Sequence, residues 1–306
     1  LLTIPDRKST LGGDTEIVAT SAEDGVENVD EILARSISYH LLEQGVYDSR
    51  RNAEEAKYIA QLVRELLKRD TGMSIGIVAF SEAQQDEIES ALSRLGRLDE
   101  DFGNQLSAEF EREEDNQYCG LFVKNLENVQ GDERDVIILS ICYAPDSQGK
   151  MRMNFGPINQ SGGEKRLNVI FSRAKVHMVV VSSIRHHQIT NDYNDGANCL
   201  KGFLEYSAAV SKGDSETASR VLSLLNTRSD FSTPQLAEER CSMVRQMADS
   251  FRALGFDVAT KVGQSRFKVD LTVSEPGSGT HQVGILIDGD DHYGVVNPME
   301  RYFLRP

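Results

Sequence analysis

The chain has 306 residues, of which 39% are hydrophobic and 26% are charged, and its formal net charge is −15. This length accommodates two domains, and the composition is that of a soluble globular protein. The acidic balance argues against a general nucleic-acid coat, because phosphate binding favours surfaces rich in lysine and arginine. It leaves open a narrow groove for a single strand, formed by backbone amides and a few cations.

The cysteines and the apolar runs exclude two further classes of protein. The four cysteines (Cys119, Cys142, Cys199 and Cys241) lie far apart without a CxxC pair, so we expect free thiols in a reducing cytoplasm rather than a zinc site. The longest apolar runs are far shorter than the ~20 residues that cross a bilayer. The first ten residues do not resemble a signal peptide. We therefore expect a cytoplasmic protein with no membrane segment.

The first 205 residues predict alternating strands and helices. Residues 1–44 show no clear period, and we expect an irregular lead-in packed on the first domain. The next elements are predicted as an edge strand within 37–48, an amphipathic helix at 51–70 capped by Asn52, strands at 74–80, 121–124, 136–141 and 177–182, and helices at 81–95 and 164–174. This alternation predicts an α/β layer with a mostly parallel sheet, in which ligands gather at the carboxyl ends of the strands.

A second, smaller α/β unit is predicted to follow. Surface helices are predicted at 197–210 and 215–225, a linker at 227–234, a helix at 235–256, and strands at 257–262, 267–273 and 282–290. The predicted organisation is a lead-in at 1–44, a main domain at 45–210, a helix and linker at 211–234, and an incomplete domain at 235–306.

Three polar segments flank the predicted strands of the main domain. In VQGDERD (129–135), Gly131 lets the backbone approach a ligand, and Gln130 and Glu133 have the chemistry to bond ribose, phosphate or a metal-bound water. A polar turn before a strand is the alternative. In FSEAQQ (80–85), polar residues at the end of a strand open a helix that a serine caps. Gln84 is a candidate site residue here, and the alternative is an ordinary capped helix with a solvated glutamine pair.

The segment RLNVIFSRA (166–174) predicts a helix with arginines on one face. Arg166 and Arg173 are seven residues apart, while the apolar residues between them form the buried side. A guanidinium directed at a transferring phosphoryl group is the arginine-finger arrangement. The alternative is a surface arginine paired with a nearby glutamate.

Taken together, these segments resemble a known family of motor proteins. SIGIVAFSEAQQDEIE, VKNLENVQGDERDVIILS and GGEKRLNVIFSRAKVHMVVVSS are similar, in this order and spacing, to motifs IV, V and VI of superfamily 1 helicases. The branch is the one related to RNA-surveillance and DNA-replication helicase-nucleases, and the resemblance covers residues 45–205. It implies a second RecA-like motor domain. Gln130, Gly131, Glu133 and Arg166 would then contact ATP, Arg173 would reach its γ-phosphate, and Asn125, Asn128 and Gln84 would lie near the nucleotide or the translocating strand.

The sequence lacks the other half of such a motor. It has no GxxxxGK[ST] phosphate loop and no acidic Mg²⁺-binding motif ahead of motif IV. The resemblance assigns both to a first motor domain upstream of Leu1. We therefore expect the chain to be the C-terminal part of a helicase and to be unable to hydrolyse ATP alone.

The second unit contains two aspartates at strand positions. Asp270 lies inside one predicted strand and Asp288 at the end of the next, where both could bind one Mg²⁺ that activates water for phosphodiester cleavage. The alternatives are a strand-edge aspartate and an Asp-Gly turn. The region resembles the PD-(D/E)xK endonucleases of the very-short-patch-repair type, which implies that Asp270 and Asp288 bind the metal and that His292 is catalytic. Leu286 stands where many relatives have glutamate, and Glu238 or Glu239 is a candidate for the upstream acidic residue.

Three hypotheses about function follow from these segments. The first is an ATP-dependent helicase portion with an attached Mg²⁺-dependent nuclease-like domain that acts on nucleic acid, DNA rather than RNA. The second is a non-catalytic module that binds nucleic acid or protein. The third, a small-molecule nucleotide enzyme, requires its own phosphate loop, and the sequence has none.

Overall fold

A computed structural model describes residues 15–114, 117–129, 131–227, 234–262, 269–278 and 281–286, with the backbone alone for 225–227 and 234–242. The chain divides after Val221 into two compact units. No helix within the described ranges combines the length and the apolarity needed to cross a bilayer.

From residue 15 to residue 227, strands and helices follow one another in the order β1 (Ile17–Ala19), α1 (Gly25–Ala34), β2 (Ile37–Leu42), α2 (Ala53–Lys68), β3 (Ile75–Ala79), α3 (Glu82–Leu98), α4 (Glu100–Phe110), β4 (Glu113–Glu114), β5 (Gln117–Tyr118), β6 (Phe122–Asn125), β7 (Arg134–Ser140), α5 (Gly163–Phe171), β8 (Ala174–Ser182), α6 (Asp195–Ser211) and α7 (Ser215–Thr227). Strands β4 and β5 form a separate two-stranded pair.

The larger unit is built on a six-stranded sheet in the order β1-β2-β8-β7-β3-β6, and every neighbouring pair is parallel. This confirms the predicted α/β fold with a RecA-like sheet flanked by helices. Strand β2 pairs with β1 on one side and β8 on the other, so it is an interior strand and the prediction of an edge strand is wrong. The region expected to be irregular therefore contributes β1, α1 and β2 to the fold.

The core forms where α2 covers the centre of the sheet. Ile138 lies opposite Ile77 on one side and Val179 on the other, and all three side chains are fully buried. Ile59 and Leu62 of α2 are also fully buried in the same cluster. Burying an aliphatic side chain of this size contributes about 2 kcal/mol, so the continuous apolar runs of the central strands stabilise both faces of the sheet.

Helix α2 begins where the sequence predicted. The Asn52 side chain accepts a hydrogen bond from the Glu55 backbone N–H at 3.2 Å, which satisfies one of the amide groups left open at a helix start. The predicted cap is therefore confirmed.

Because the six strands are parallel, all of them begin along one side of the sheet and end along the opposite side. We call the edge where the strands begin the amino edge, and the edge where they end the carboxyl edge. Glu133 and Arg173 immediately precede β7 and β8 and lie at the amino edge. Asn125 ends β6 and Gln84 follows β3, which places both at the carboxyl edge.

The smaller unit contains α8 (Pro234–Ala253), β9 (Asp257–Val262), β10 (Val269–Ser274) and β11 (Val283–Ile285). Its strands form an antiparallel sheet in the order β11-β10-β9. Ala248, Leu271 and Val273 form its buried centre. The predicted helix and three strands are confirmed, whereas most of the predicted linker lies outside the described residues.

Candidate functional site

The predicted site residues are divided between the two edges of the sheet. Glu133 and Arg173 lie at the amino edge, whereas Gln84, Asn125 and Asn128 lie at the carboxyl edge. Glu133 and Arg173 therefore lie opposite the carboxyl ends of the strands, where ligands were expected to gather. The two groups form two separate candidate sites.

Arg173 lies in the turn between α5 and β8. Helix α5 ends at Phe171, so Arg173 is beyond the helix, and the prediction that it shares a helical face with Arg166 is wrong. Its Nε donates to the Val169 carbonyl at 2.8 Å, and its Nη2 donates to the Ser172 hydroxyl at 3.1 Å. These two bonds to the last turn of α5 fix the orientation of a guanidinium whose side chain is 17% exposed.

The third nitrogen of Arg173 faces Glu133. The Arg173 Nη1 and Glu133 Oε1 atoms are 3.8 Å apart, near the limit for an ion pair, and the Glu133 side chain is 51% exposed. A pair this long with a solvated carboxylate contributes less than about 1 kcal/mol to stability. The alternative interpretation, an arginine that pairs with a glutamate, is thus observed. The pair is weak enough for an anionic ligand to take the place of the carboxylate.

The loop before Glu133 leaves room for a ligand. Gly131 has a φ of +89°, and a Cβ atom at this position would have no neighbour within 4 Å. Lys124 and Asp132 form an ion pair of 2.7 Å that holds the loop to β6. Gln130 lies outside the described residues.

Arg166 lies within α5 and bonds to the chain that leads into it. Its Nη1 donates to the carbonyls of Pro157 at 3.3 Å and Ser161 at 3.4 Å. The two arginines therefore bond to opposite ends of α5, because Arg173 donates to its last turn. Arg166 is not brought to Glu133.

At the carboxyl edge, Gln84 is fully buried and bonded within the domain. Its Oε1 accepts from the Asn52 backbone N–H at 2.6 Å, and its Nε2 donates to the Asn52 carbonyl at 3.1 Å and the Ser140 hydroxyl at 3.0 Å. No amide atom of Gln84 is left for a ligand. We therefore correct its interpretation from a ligand contact, or a solvated residue, to a structural one.

The two asparagines at this edge are more accessible than Gln84. Asn125 is half-buried, and its Oδ1 accepts from the Glu127 backbone N–H at 3.1 Å in a local turn. Asn128 is exposed, and its backbone N–H donates to the Asn125 carbonyl at 3.0 Å. Both side chains lie at the edge where Gln84 is buried.

A buried carboxyl group beneath the carboxyl edge was not identified from the sequence. The fully buried Glu55 accepts hydrogen bonds from the Ser140 hydroxyl at 2.8 Å, the Cys142 backbone N–H at 2.9 Å and the Ser183 hydroxyl at 2.8 Å. Burial raises the pKa of Glu55 to about 7, because the interior disfavours the charged form. The group joins the start of α2 to the ends of β7 and β8.

The helical period contained a signal for this group. Glu55 lies four residues before Ile59, so it falls on the buried face of α2.

In the smaller unit, Asp270 lies on the central strand β10 and is 9% exposed. Asp288 and His292 lie outside the described residues, as do the side chains of Glu238 and Glu239. Over the described ranges, no three His, Cys, Asp or Glu side chains are grouped to hold a metal ion. The described residues therefore do not complete a Mg²⁺ site, and we derive no cleavage step from them.

Comparison with known proteins is consistent with this fold. The chain is 36% identical over 186 residues to an uncharacterized ATP-dependent helicase of Mycoplasma genitalium, and 32% identical over 186 residues to its homologue in Mycoplasma pneumoniae. Each alignment covers 58% of this chain and only 15% of the relative.

A family model described as "AAA domain" matches residues 25–185, which span α1 to β8 and amount to more than half of the chain. The match includes five of the six strands of the parallel sheet, namely β2, β3, β6, β7 and β8. The chain belongs to the AAA domain family, and its larger unit is a helicase-type domain.

Proposed function

We propose that the larger unit is the second motor domain of a superfamily 1 helicase and that it binds the phosphates of ATP at its amino edge. The observation that carries this proposal is the convergence of Arg173, Glu133 and the open backbone at Gly131. Two hydrogen bonds fix the Arg173 guanidinium, and its third nitrogen faces the Glu133 carboxylate at 3.8 Å. The similarity to ATP-dependent helicases supports the same assignment.

The residues at this edge fit a polyphosphate. An anionic oxygen in place of the Glu133 carboxylate would gain a charge-assisted hydrogen bond from Arg173, which is about twice as strong as a neutral one. At Gly131, the backbone is accessible because no side chain covers it. Bound ATP would supply the γ-phosphoryl group, and Arg173 would stabilise the negative charge that increases on it in the transition state.

In this proposal, the chain forms one wall of the ATP site. A first motor domain with a phosphate loop supplies the opposite wall and the Mg²⁺ ligands. Gln130 joins Glu133 in contacting the nucleotide. At the carboxyl edge, Asn125 and Asn128 contact a nucleic-acid strand, DNA rather than RNA. The exposed position of Asn128 supports this last assignment.

The test is ATP hydrolysis by a protein that contains this chain together with the first motor domain. Replacing Arg173 with alanine should lower kcat by about 10³-fold, the range found for arginine fingers. Arg94→Ala is the matched control, because Arg94 is 52% exposed and forms an ion pair with Glu87 on α3. Near-normal turnover in Arg173→Ala, with a normal melting temperature, would contradict the proposal.

We also propose, on the sequence resemblance, that Asp270 belongs to a Mg²⁺-dependent nuclease site. The position of Asp270 on the central strand of the smaller sheet supports it. The assay is cleavage of single- and double-stranded DNA with Mg²⁺ or Mn²⁺. Cleavage that is lost in Asp270→Asn supports the nuclease. Binding of DNA without cleavage by the intact protein would instead support the non-catalytic module.

A further inference from the structure

A second arginine at the amino edge is buried next to the candidate ATP site. Arg134 is the first residue of β7, follows Glu133 directly, and has a side chain that is 6% exposed. Its guanidinium carbon lies 5.0 Å from the ring centre of Phe122 and 5.4 Å from that of Tyr118. Aromatic faces attract a guanidinium, and here they also shield it from solvent.

The bonds of Arg134 connect two residues of the proposed ATP site. Its backbone N–H donates to the Arg173 carbonyl at 3.2 Å. Its side-chain Nη1 donates to the Glu133 carbonyl at 2.8 Å, and its Nε donates to the Gly120 carbonyl at 2.9 Å. One residue therefore fixes the backbone of both Glu133 and Arg173.

An irregularity in the sheet lies at the same place. Arg134 pairs with Ala174 and Val136 pairs with His177, so β8 advances three residues while β7 advances two. Such a bulge locally redirects side chains and is frequent beside active sites. Between these pairs, Asp135 accepts hydrogen bonds from the Ser74 backbone N–H at 2.9 Å and its hydroxyl at 2.7 Å, which anchors this part of β7 to the residue before β3.

The burial of Arg134 is costly for the domain. Its Nη2 atom is buried and has no hydrogen-bond partner among the residues that the structure describes. A buried donor without a partner destabilises a protein, which offsets part of the stabilisation from the two side-chain bonds. The definite effect of the buried guanidinium is therefore to hold the Glu133 and Gly120 carbonyls in place.

We propose that Arg134 is a positioning residue of the ATP site, which sets the separation between Glu133 and Arg173. This inference rests on the proposed function, because it assigns Arg134 to the site through those two residues. Arg134 itself does not touch the nucleotide. Without the side-chain bonds to the Glu133 and Gly120 carbonyls, Arg173 would keep its contacts to α5 and its backbone bond to residue 134, but Glu133 would lose its fixed distance from the Arg173 guanidinium.

The experiment uses the protein that contains both motor domains and compares Arg134→Met, Arg134→Lys and Arg173→Ala. Methionine keeps much of the apolar stem and the backbone bond to Arg173 but removes the side-chain donors to Glu133 and Gly120. Lysine keeps the charge without the planar fork. Misplacing a catalytic group by about 1 Å lowers a rate about 10²-fold, so Arg134→Met should lower kcat about 10- to 100-fold, with KM for ATP changed less than about threefold. Arg134→Lys should fall between Arg134→Met and the wild type.

Arg112→Met is the control for destabilisation without repositioning. Arg112 is 22% exposed and forms an ion pair with Glu109, but no bond joins it to Glu133 or Arg173. Arg112→Met should keep kcat near the wild-type value even where its melting temperature is lowered.

The outcomes separate the two proposals. Wild-type kcat in Arg134→Met, with strong loss in Arg173→Ala, would overturn the positioning role and leave the ATP site in place. Retained turnover in Arg173→Ala would overturn the site itself. If Arg134→Met does not fold, Arg134→Lys decides: a kcat loss of about fivefold or more at an unchanged melting temperature supports positioning, and wild-type kcat contradicts it.

Discussion

The carboxyl group of Glu55 and the hydroxyl group of Ser183 are joined by a hydrogen bond of 2.8 Å, although the two residues are 128 positions apart. Glu55 lies in the first turn of α2, and Ser183 follows the end of β8. Since the carboxyl group also accepts from Ser140 and Cys142, it connects three distant parts of the chain beneath the carboxyl edge.

Stability should depend on pH through Glu55. Its pKa is about 7 in the folded state and near 4.5 in the unfolded state, so between these values the folded state holds the extra proton. The free energy of unfolding should therefore fall as pH rises from about 4.5 to 7, by up to roughly 3 kcal/mol from this group. Glu55→Gln should lack this component, which urea unfolding at several pH values measures.

Glu54→Gln is the control for that experiment. Glu54 lies on the same turn of α2, with its side chain 37% exposed and paired with Lys57. The free energy of unfolding of Glu54→Gln should change with pH as that of the wild type does. Parallel profiles for Glu55→Gln and the wild type would show that Glu55 is not the titrating group.

Adjacent glutamines should differ in their effect on stability. Gln84→Ala removes three hydrogen bonds and leaves the Asn52 backbone N–H without its partner, so it should lower the free energy of unfolding by about 2–3 kcal/mol. The Gln85 side chain donates to Glu89 on the same helix, and Gln85→Ala should change the free energy of unfolding by less than about 0.5 kcal/mol. Chemical denaturation of both variants tests the assignment. Equal losses would contradict it.

The start of α5 should not tolerate a side chain at Gly163. A Cβ atom there would lie 1.9 Å from the Ile158 carbonyl oxygen, so the backbone must move. Gly163→Ala should destabilise the domain by about 3 kcal/mol. Lys165→Ala, an exposed change on the same helix, should have an effect below about 0.5 kcal/mol. Thermal unfolding of the pair measures this difference, and a wild-type melting temperature for Gly163→Ala would refute the close approach.

Arg35 should stabilise the larger unit through α6. Its side chain is 1% exposed, and its Nη1 donates to the Ser211 carbonyl at 2.7 Å and hydroxyl at 3.1 Å. Arg35→Met should leave this carbonyl unpaired and lower the free energy of unfolding by about 2 kcal/mol. Arg220→Met, at a side chain that is 53% exposed, should have little effect in the same denaturation assay. A similar loss in both variants would contradict a specific role for Arg35.

The sequence predicted the parts of the fold that depend on local chemistry. The runs that became β7 and β8 contain consecutive β-branched residues, which favour buried parallel strands. The Asn52 side chain caps α2 through a local bond, so its neighbours in the sequence were sufficient to identify it. The three residues of β1 are too few to show a period, and that strand was missed.

The errors in the site arose where distant contacts decide the outcome. Gln84 follows a serine cap, which predicts a solvated position, but the start of α2 covers it. The spacing of Arg166 and Arg173 presumed a helix through both, and no glycine or proline in the sequence marks its end at Phe171. The edge to which each residue belongs could be assigned from the sequence, because Glu133 and Arg173 precede their predicted strands and Gln84 follows its own.

Strand β8 has Arg173 before its first residue and Ser183 after its last, and both ends are fastened. Nine residues of extended chain span about 30 Å, and β7 runs beside them with Glu133 and Ser140 at its ends. The two strands thus form a rigid pair through the centre of the domain. A displacement of Arg173 would be transmitted along this pair to the opposite edge without an intervening hinge, so the larger unit should move as a rigid body.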